Sequence, residues 1–197
     1  MDITRNMNGA RALVVGAGLA LAMGAAPTPA MAAGRVGTTK VMVRTEIDNV
    51  EFKVPTVIPF VAKADGTLQG PSEDATTIDN HSAYGIHVTN MKIDAMNTWT
   101  IAADAKAGTA QNSIDFKVGP DGALQNASAA MQETGLDLSK NAAFDMGYQG
   151  VAGGADKIKL KTSGNVARVT RDIFHVTGEG DQVATITWTV EPGAHTA

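Results

Sequence analysis

The chain has 197 residues, of which 20 are acidic and 16 basic, so it carries a formal net charge of −4 at neutral pH. A mildly acidic chain without clustered lysine and arginine lacks the electrostatic surface that nucleic-acid binding requires, and we exclude that class of function. The absence of cysteine excludes thiol catalysis, thiolate zinc sites, iron–sulfur clusters and a lipoprotein anchor, and it requires a core that holds without disulfides.

The N-terminal segment has the pattern of a secretory signal peptide. Arg5 and Arg11 precede an apolar run at residues 12–26, and small residues follow this run up to Ala32. The run is shorter than the roughly 20 residues of a bilayer span, and the small residues mark a cleavage site. We therefore predict that residues 1–32 are removed and that the mature chain is secreted, without a membrane span. An uncleaved N-terminal anchor is the alternative.

Apolar residues recur at every second position in several short runs of the remaining chain. Such alternation predicts half-buried strands, with one face towards a core and the other towards solvent. The runs are Val41 and Val43; Ile86 and Val88; Trp99, Ile101 and Ala103; Ile158 and Leu160; and Ala184, Ile186, Trp188 and Val190. Because no long amphipathic helix separates them, we predict an all-β fold, an antiparallel β-sandwich that forms a single domain over residues 33–197.

Two Asp-Gly dipeptides stand between these runs. Asp65-Gly66 and Asp121-Gly122 are each followed by further strand-like sequence. The dipeptide is favoured in hairpins whose two central residues both have positive φ. We therefore expect a hairpin of that geometry at each position.

Two other segments depart from simple alternation. Pro55 and Pro59 remove backbone donors from an apolar segment, which we expect to be buried at an edge or bend and not in a central strand. Residues 121–156 are rich in Ala, Gly, Asn and Ser. They predict a short helix, near residues 127–133, or a long loop inserted in the sandwich.

No residue pattern in the sequence carries a recognisable catalytic or metal-binding site. The four histidines, His81, His87, His175 and His195, form no HxH or HExxH pair. We expect His87 and His175 to face solvent from strands. His81 precedes Ser82, yet no GxSxG elbow or other nucleophile setting accompanies them. We therefore predict a protein that is not an enzyme and that binds no cofactor.

Calcium is the one ion that the acidic segments could bind. PSEDATTIDN at residues 71–80 and GPDG at residues 119–122 offer the carboxylate and amide oxygens that Ca²⁺ prefers. Their spacing does not match the twelve-residue EF-hand loop, and capping of turns by Asp and Asn accounts for the same residues. A calcium site is therefore an alternative that no motif supports.

The two tryptophans lie in similar short patterns, NTWTIAADA and ATITWTVEPG. Trp99 is followed two positions on by Ile101, and Trp188 is followed two positions on by Val190. In a strand, residues two positions apart share a face. One explanation is that both large side chains fill the core of a sandwich, and we expect both to be mostly buried.

These patterns resemble those of the WxL-domain proteins, which are noncovalently attached surface proteins of Gram-positive bacteria. In that family a signal peptide precedes a β-rich region with one Trp-x-Leu element inside it and a second in a threonine-rich C-terminal strand. Trp-Thr-Ile at Trp99 and Trp-Thr-Val at Trp188 match these elements, with Ile and Val in place of Leu. The resemblance covers most of residues 38–193.

The resemblance implies a secreted protein that is held noncovalently at the bacterial cell surface by peptidoglycan or by another surface protein. Trp99, Ile101, Trp188 and Val190 are then the candidate site residues. The alternative is a structural subunit of an extracellular fibre or pilus-like assembly. In that case the segment TKVMVR at residues 39–44 would add as a strand to an exposed sheet edge, and the protein would self-associate.

Overall fold

The computed structural model of the protein describes residues 41–44, 49–173 and 180–194. The chain divides into two units, residues 1–42 and 43–197, and nearly all described residues belong to the second unit. The predicted signal peptide at residues 1–32 lies outside the described residues. In the part of the chain that is described, no helix is long and apolar enough to cross a bilayer.

The described residues form strands and single turns of 3-10 helix. The strands are β1 Phe52–Lys53, β2 Val61–Ala62, β3 Thr67–Gln69, β4 Thr77–Asn80, β5 Ile86–Ala95, β6 Thr100–Ile101, β7 Ser113–Gly119, β8 Gln125–Asn126, β9 Leu136–Asp137, β10 Asp145–Met146, β11 Lys157–Lys159, β12 Lys161–Ala167 and β13 Ala184–Pro192. The 3-10 turns include Glu73–Ala75, Ala129–Met131, Ala142–Phe144 and Ala152–Gly154. The predicted short helix near residues 127–133 is thus a single 3-10 turn within a long, loop-rich insertion.

The longest strand pair joins β5 to β13. The two strands are antiparallel, from Ala184 opposite Ala95 to Pro192 opposite Ile86, with a β-bulge next to Thr189. The short strands β9 and β10 pair with the other side of β5. β5 is therefore central in this sheet, and β13 lies at its edge.

Two further sheets complete the fold. In the larger one the strand order is β2-β3-β12-β7-β6, with β8 also paired to β7. The third sheet has the order β1-β4-β11. Among the described strands, all pairs are antiparallel except the short pair β6–β7.

The three sheets enclose one cluster of apolar side chains. Ile78 of β4, Ile86 of β5 and Val118 of β7 are all completely buried in this cluster. Burial of apolar surface is the main favourable term in folding, and here all three sheets contribute to the same core. The prediction of an all-β, antiparallel sandwich is confirmed.

Both predicted hairpins are present, but their turn geometry differs from the expectation. β2 and β3 flank Asp65-Gly66, and β7 and β8 flank Asp121-Gly122. In each turn only the glycine has positive φ, +85° at Gly66 and +75° at Gly122, so the prediction of positive φ at both central residues is wrong. A Cβ at Gly66 would lie 2.4 Å from the carbonyl oxygen of Val166, so the hairpin packs too closely on β12 for a larger residue.

Two predictions for the N-terminal part of the described chain are wrong. Val41 and Val43 do not lie in a strand, and their side chains are 87% and 94% exposed. Alternation indicates which face of a strand would be buried, but it does not show that the strand has a partner. No described strand pairs with this segment. The segment between Pro55 and Pro59 is outside the sheets as expected, yet Val57 is 70% exposed and not buried. The prolines prevent ladder pairing, so the segment stays at the surface.

Candidate functional site

Trp99 lies directly before β6 and is buried, with 6% of its surface exposed. The predicted strand through Trp99, Ile101 and Ala103 is therefore shorter than expected, because β6 contains only two residues. Asn97 and Thr98 have positive φ and form the turn that precedes the tryptophan. Burial and this turn together fix the position of the Trp99 ring.

The carboxylate of Asp181 accepts hydrogen bonds from three side chains. The indole N–H of Trp99 donates to its Oδ2 at 2.8 Å, and Nε of Arg171 donates to the same oxygen. Nη2 of Arg171 donates to Oδ1 at 3.1 Å, and Nδ2 of Asn97 does so at 3.3 Å. The hydrogen bonds from Arg171, and then that from Trp99, hold the pKa of Asp181 below its ordinary value of 3.8, against the opposing effect of burial. A charged carboxylate therefore ties the segment before β13 to the turn before β6.

Trp188 and Val190 lie in β13, in the predicted alternation. Val190 is buried, and Trp188 and Ile186 keep only a minor part of their surface accessible, so Trp188 is mostly buried as expected but is covered less completely than Trp99. The reason is the position of β13 at the edge of its sheet, where core-facing side chains are covered mainly from the side of β5. Ile101 likewise keeps a minor part of its surface accessible.

The four candidate residues belong to one core. Trp99 and Val190 are part of the buried cluster, and Ile101 and Trp188 pack against it. Buried side chains cannot contact a ligand directly, so Trp99 and Val190 hold the domain together. Of the four, Trp188 offers the largest aromatic surface that is still in part accessible.

A shallow surface cleft, wide open to solvent, lies beside the β2–β3 hairpin and has a volume of about 560 Å³. Three cationic side chains line it, those of Lys63, Lys106 and Arg168, together with one carboxylate, that of Asp65. Nε of Arg168 donates to the carbonyl oxygen of Ala110 at 2.8 Å, which fixes the guanidinium at the cleft. We call this feature the basic cleft.

The basic cleft has a local surplus of positive charge on a chain that is acidic as a whole. Hydrogen bonds from Thr67, with the charges of Lys106 and Lys63, lower the pKa of Asp65, so this carboxylate is negatively charged at neutral pH. Its single negative charge cancels only part of the positive charge of the three cationic side chains. Such a cleft can bind an anion through charge-assisted hydrogen bonds. Sequence reasoning missed it because its cations come from three distant points in the chain, and no spacing rule connects them.

His87 is buried in β5, so the expectation that it faces solvent is wrong. Its Nδ1 lies 2.6 Å from Oδ1 of Asp145, and its Nε2 lies 3.0 Å from the carbonyl oxygen of Leu138. Ile86 and Val88 beside it are buried too, so both faces of β5 are covered here. The contacts of His87 with Asp145 and Leu138 therefore hold the insertion against β5.

Ser82 and His81 do not form a nucleophile–base pair. The buried hydroxyl of Ser82 donates to the carbonyl oxygen of Glu51 at 3.1 Å and accepts from the Glu51 N–H at 2.9 Å. Nε2 of His81 is buried and has no hydrogen-bond partner among the described residues. His175 and His195 lie outside the described residues. The Ser82 hydroxyl anchors the chain near β1.

The carboxylates of the two segments considered for calcium form ion pairs with lysines of β11 and β12. The pairs are Asp74 with Lys159 at 2.7 Å, Asp79 with Lys157 at 3.3 Å, and Asp121 with Lys161 at 2.7 Å. A lysine ammonium group thus lies beside each of these three carboxylates. Across the described ranges, no group of three or more His, Asp or Glu side chains could hold a metal ion.

No protein-family model, curated protein or solved structure matches this chain. The candidates for a functional site therefore come from the geometry alone. They are three separate features, namely the Trp99–Asp181 contact in the interior and the basic cleft and the β13 edge at the surface.

Proposed function

We propose that this chain is a secreted protein that is noncovalently attached to the bacterial cell surface, where its folded domain binds the cell wall or another surface protein. The proposed role is binding and not catalysis. The observation that carries the proposal is the joining of the two tryptophan elements. Asp181 bonds to Trp99 and lies just before β13, the strand that holds Trp188, and both rings pack in one core. This arrangement supports the WxL-domain resemblance.

The basic cleft is the surface that best suits attachment to a wall polymer. Peptidoglycan carries carboxylates in its peptides, and these are the acceptors that Lys63, Lys106 and Arg168 would bind. The cleft is open, so a polymer can lie across it without its ends entering a cavity. Because the chain carries a net charge of −4, attachment to an anionic wall needs such a local cationic surface.

Co-sedimentation with purified Gram-positive peptidoglycan tests this proposal. We expect the chain of residues 33–197 to sediment with the wall, and the double variant K63Q/K106Q to bind at least about tenfold more weakly, because each charge-assisted hydrogen bond contributes roughly 1.5–3 kcal/mol. The matched control is K53Q/K117Q, which removes two exposed lysines outside the cleft. Far-UV circular dichroism checks that both variants are folded.

The outcomes separate a specific site from general charge attraction. Equal loss of binding in the cleft variant and the control would assign binding to net charge and would overturn the role of the cleft. A wild-type chain that stays in the supernatant would remove the support for wall binding.

A second candidate function is that of a structural subunit in an extracellular fibre. The specific observation in its favour is the outer edge of β13, which no described strand covers. Exposed edges of this length are normally protected in soluble proteins, and an unprotected one is suited to strand addition.

A further inference from the structure

The outer edge of β13 presents a row of backbone groups to its surroundings. Within the described residues, β13 pairs with β5 alone. The Met96 N–H donates to the carbonyl oxygen of Val183, so these two opposite residues form a hydrogen-bonded pair of the β5–β13 ladder. In an antiparallel ladder every second pair is hydrogen-bonded, so the backbone N–H and C=O groups of Thr185, Thr187 and Thr189 also point towards β5. The N–H and C=O groups of Ala184, Ile186 and Trp188 therefore face away from β5.

This edge has few of the features that block pairing with another chain. From Ala184 to Val190 it contains no charged residue and no proline, and Glu191 and Pro192 follow only at its end. Charged residues, prolines and short length are the usual protection of edge strands. The described edge is thus open over seven consecutive residues.

The side chains along this edge also leave apolar surface uncovered. Ile186 and Trp188 face the core but keep a minor part of their surface accessible. An added strand would place its own inward side chains beside them and would remove this apolar area from water. The three threonines on the opposite face of β13 are exposed.

A segment with the matching chemistry occurs in the same chain. Val41, Met42 and Val43 are 87%, 89% and 94% exposed, and Arg44 is exposed as well. In an extended conformation Val41 and Val43 share one face, and Met42 lies on the other. A partner that covers these three consecutive apolar side chains would remove their surface from water, which is favourable.

We propose that residues 41–44 of one copy of this protein add as a strand to the outer edge of β13 in a second copy. Val41 and Val43 cover Ile186 and Trp188, and Met42 lies beside the exposed threonines. Because each copy carries both the donor segment and the acceptor edge, the contact is head-to-tail and can repeat from copy to copy, in an open chain or a closed ring. The inference deepens the fibre-subunit candidate on which it rests, and it does not depend on wall binding.

Disulfide trapping tests the contact directly, because the chain has no cysteine of its own. One variant carries M42C, and a second carries cysteine at Thr185, Thr187 or Thr189 in turn. We expect mixing under mild oxidation to give cross-linked heterodimers, strongest at the threonine opposite Met42. The control partner is K117C, an exposed position on β7. Equal cross-linking to the control and to all three threonine positions would overturn the proposal.

Self-association in solution supplies an independent test. We expect the mean mass of the chain of residues 33–197, measured by size exclusion with light scattering, to rise with concentration. V41D/V43D should stay monomeric, whereas V57D, which changes another exposed valine, should behave as the wild type. Both I186P and I186A lose the isoleucine side chain, but only proline also loses the outward N–H, so I186P should block association and I186A should only weaken it.

The remaining outcomes distinguish the inference from the function on which it rests. Association that persists in V41D/V43D and I186P would overturn strand addition at this edge but would leave a fibre subunit that assembles elsewhere. A wild type that stays monomeric at every concentration would overturn both.

Discussion

At the scale of single residues, the contact between the two tryptophan elements depends on Asp181. Its carboxylate accepts from Trp99 and Arg171 at once, and hydrogen bonds to an ionised group are stronger than those between neutral groups. Loss of the negative charge would leave the Arg171 guanidinium without its ion pair. The protonation state of the Asp181 carboxyl group therefore affects the stability of the domain.

Acid should weaken this contribution in a defined pH range. The folded state lowers the pKa of Asp181 from 3.8, so its stabilising effect is fully present above about pH 4 and is lost as the pH falls through the folded value. We expect the wild type to be more stable than D181N at pH 7, and this difference to shrink steadily below pH 4. Urea unfolding of both chains at a series of pH values measures it, and other carboxylates cancel because both chains share them.

The control for this prediction is E191Q, which alters an exposed carboxylate of β13. It should follow the wild type over the whole range. A constant difference between wild type and D181N from pH 7 to pH 2.5 would show that the charge of Asp181 has no role.

The sequence predicts some of these residues and not others, for physical reasons. The burial of Trp99 follows from its size and its apolar neighbours. Its partner Asp181 does not, since it is 82 positions away and nothing distinguishes it from the other aspartates. The prediction for His87 is wrong because alternation assumes one open face, whereas the insertion covers this part of β5 and contacts the His87 ring through Asp145 and Leu138.

At the scale of elements, the packing of β12 against β7 sets a tight steric limit. Gly164 lies opposite Phe116 in this pair, and a Cβ on it would come within 2.2 Å of the backbone oxygen of Asp115. Real Cβ atoms do not approach a backbone oxygen so closely. A substitution at this glycine must therefore move one of the two strands.

G164A should destabilise the protein by about 1–3 kcal/mol, the usual cost of overpacking in a close-packed interior. G180A is the matched control, because a Cβ at Gly180 would meet no atom within 4 Å. The free energy of unfolding in urea measures both. Stability of G164A equal to that of G180A would mean that β12 and β7 separate at little cost.

Local elements were predictable from the sequence, and long-range pairing was not. The Asp-Gly hairpins and the alternation of β13 involve neighbouring residues, so pattern alone located them. The pairing of β13 with β5 joins segments about a hundred residues apart, as at Thr89 and Thr189, and many strands have a compatible pattern. The basic cleft escaped prediction for the same reason, because only the fold brings its cations together.

At the scale of the whole molecule, three sheets share one core and there is no disulfide to hold any of them separately. β5 and β13, which carry one sheet, contribute to the same cluster as β4 and β7 of the other two. Loss of one sheet would expose the core face of the others. Unfolding should therefore be cooperative across the domain.

Tryptophan fluorescence and far-UV circular dichroism should report the same transition. Fluorescence follows the surroundings of Trp99 and Trp188, and circular dichroism follows all strands, so coincident curves in urea indicate a two-state process. Two separated midpoints would show that one sheet unfolds alone and would contradict the single core.

The pairing of β5 with β13 also sets the order in which the protein can form during synthesis. A ribosome makes β5 long before it makes residues 184–192, so the largest strand pair of the domain cannot close until those residues have emerged. Until then the nascent chain has an incomplete core and offers no stable folded body. If the chain is secreted, as we propose, such a delay would suit passage through a narrow translocation channel, which admits only unfolded polypeptide, and folding would then finish on the far side of the membrane.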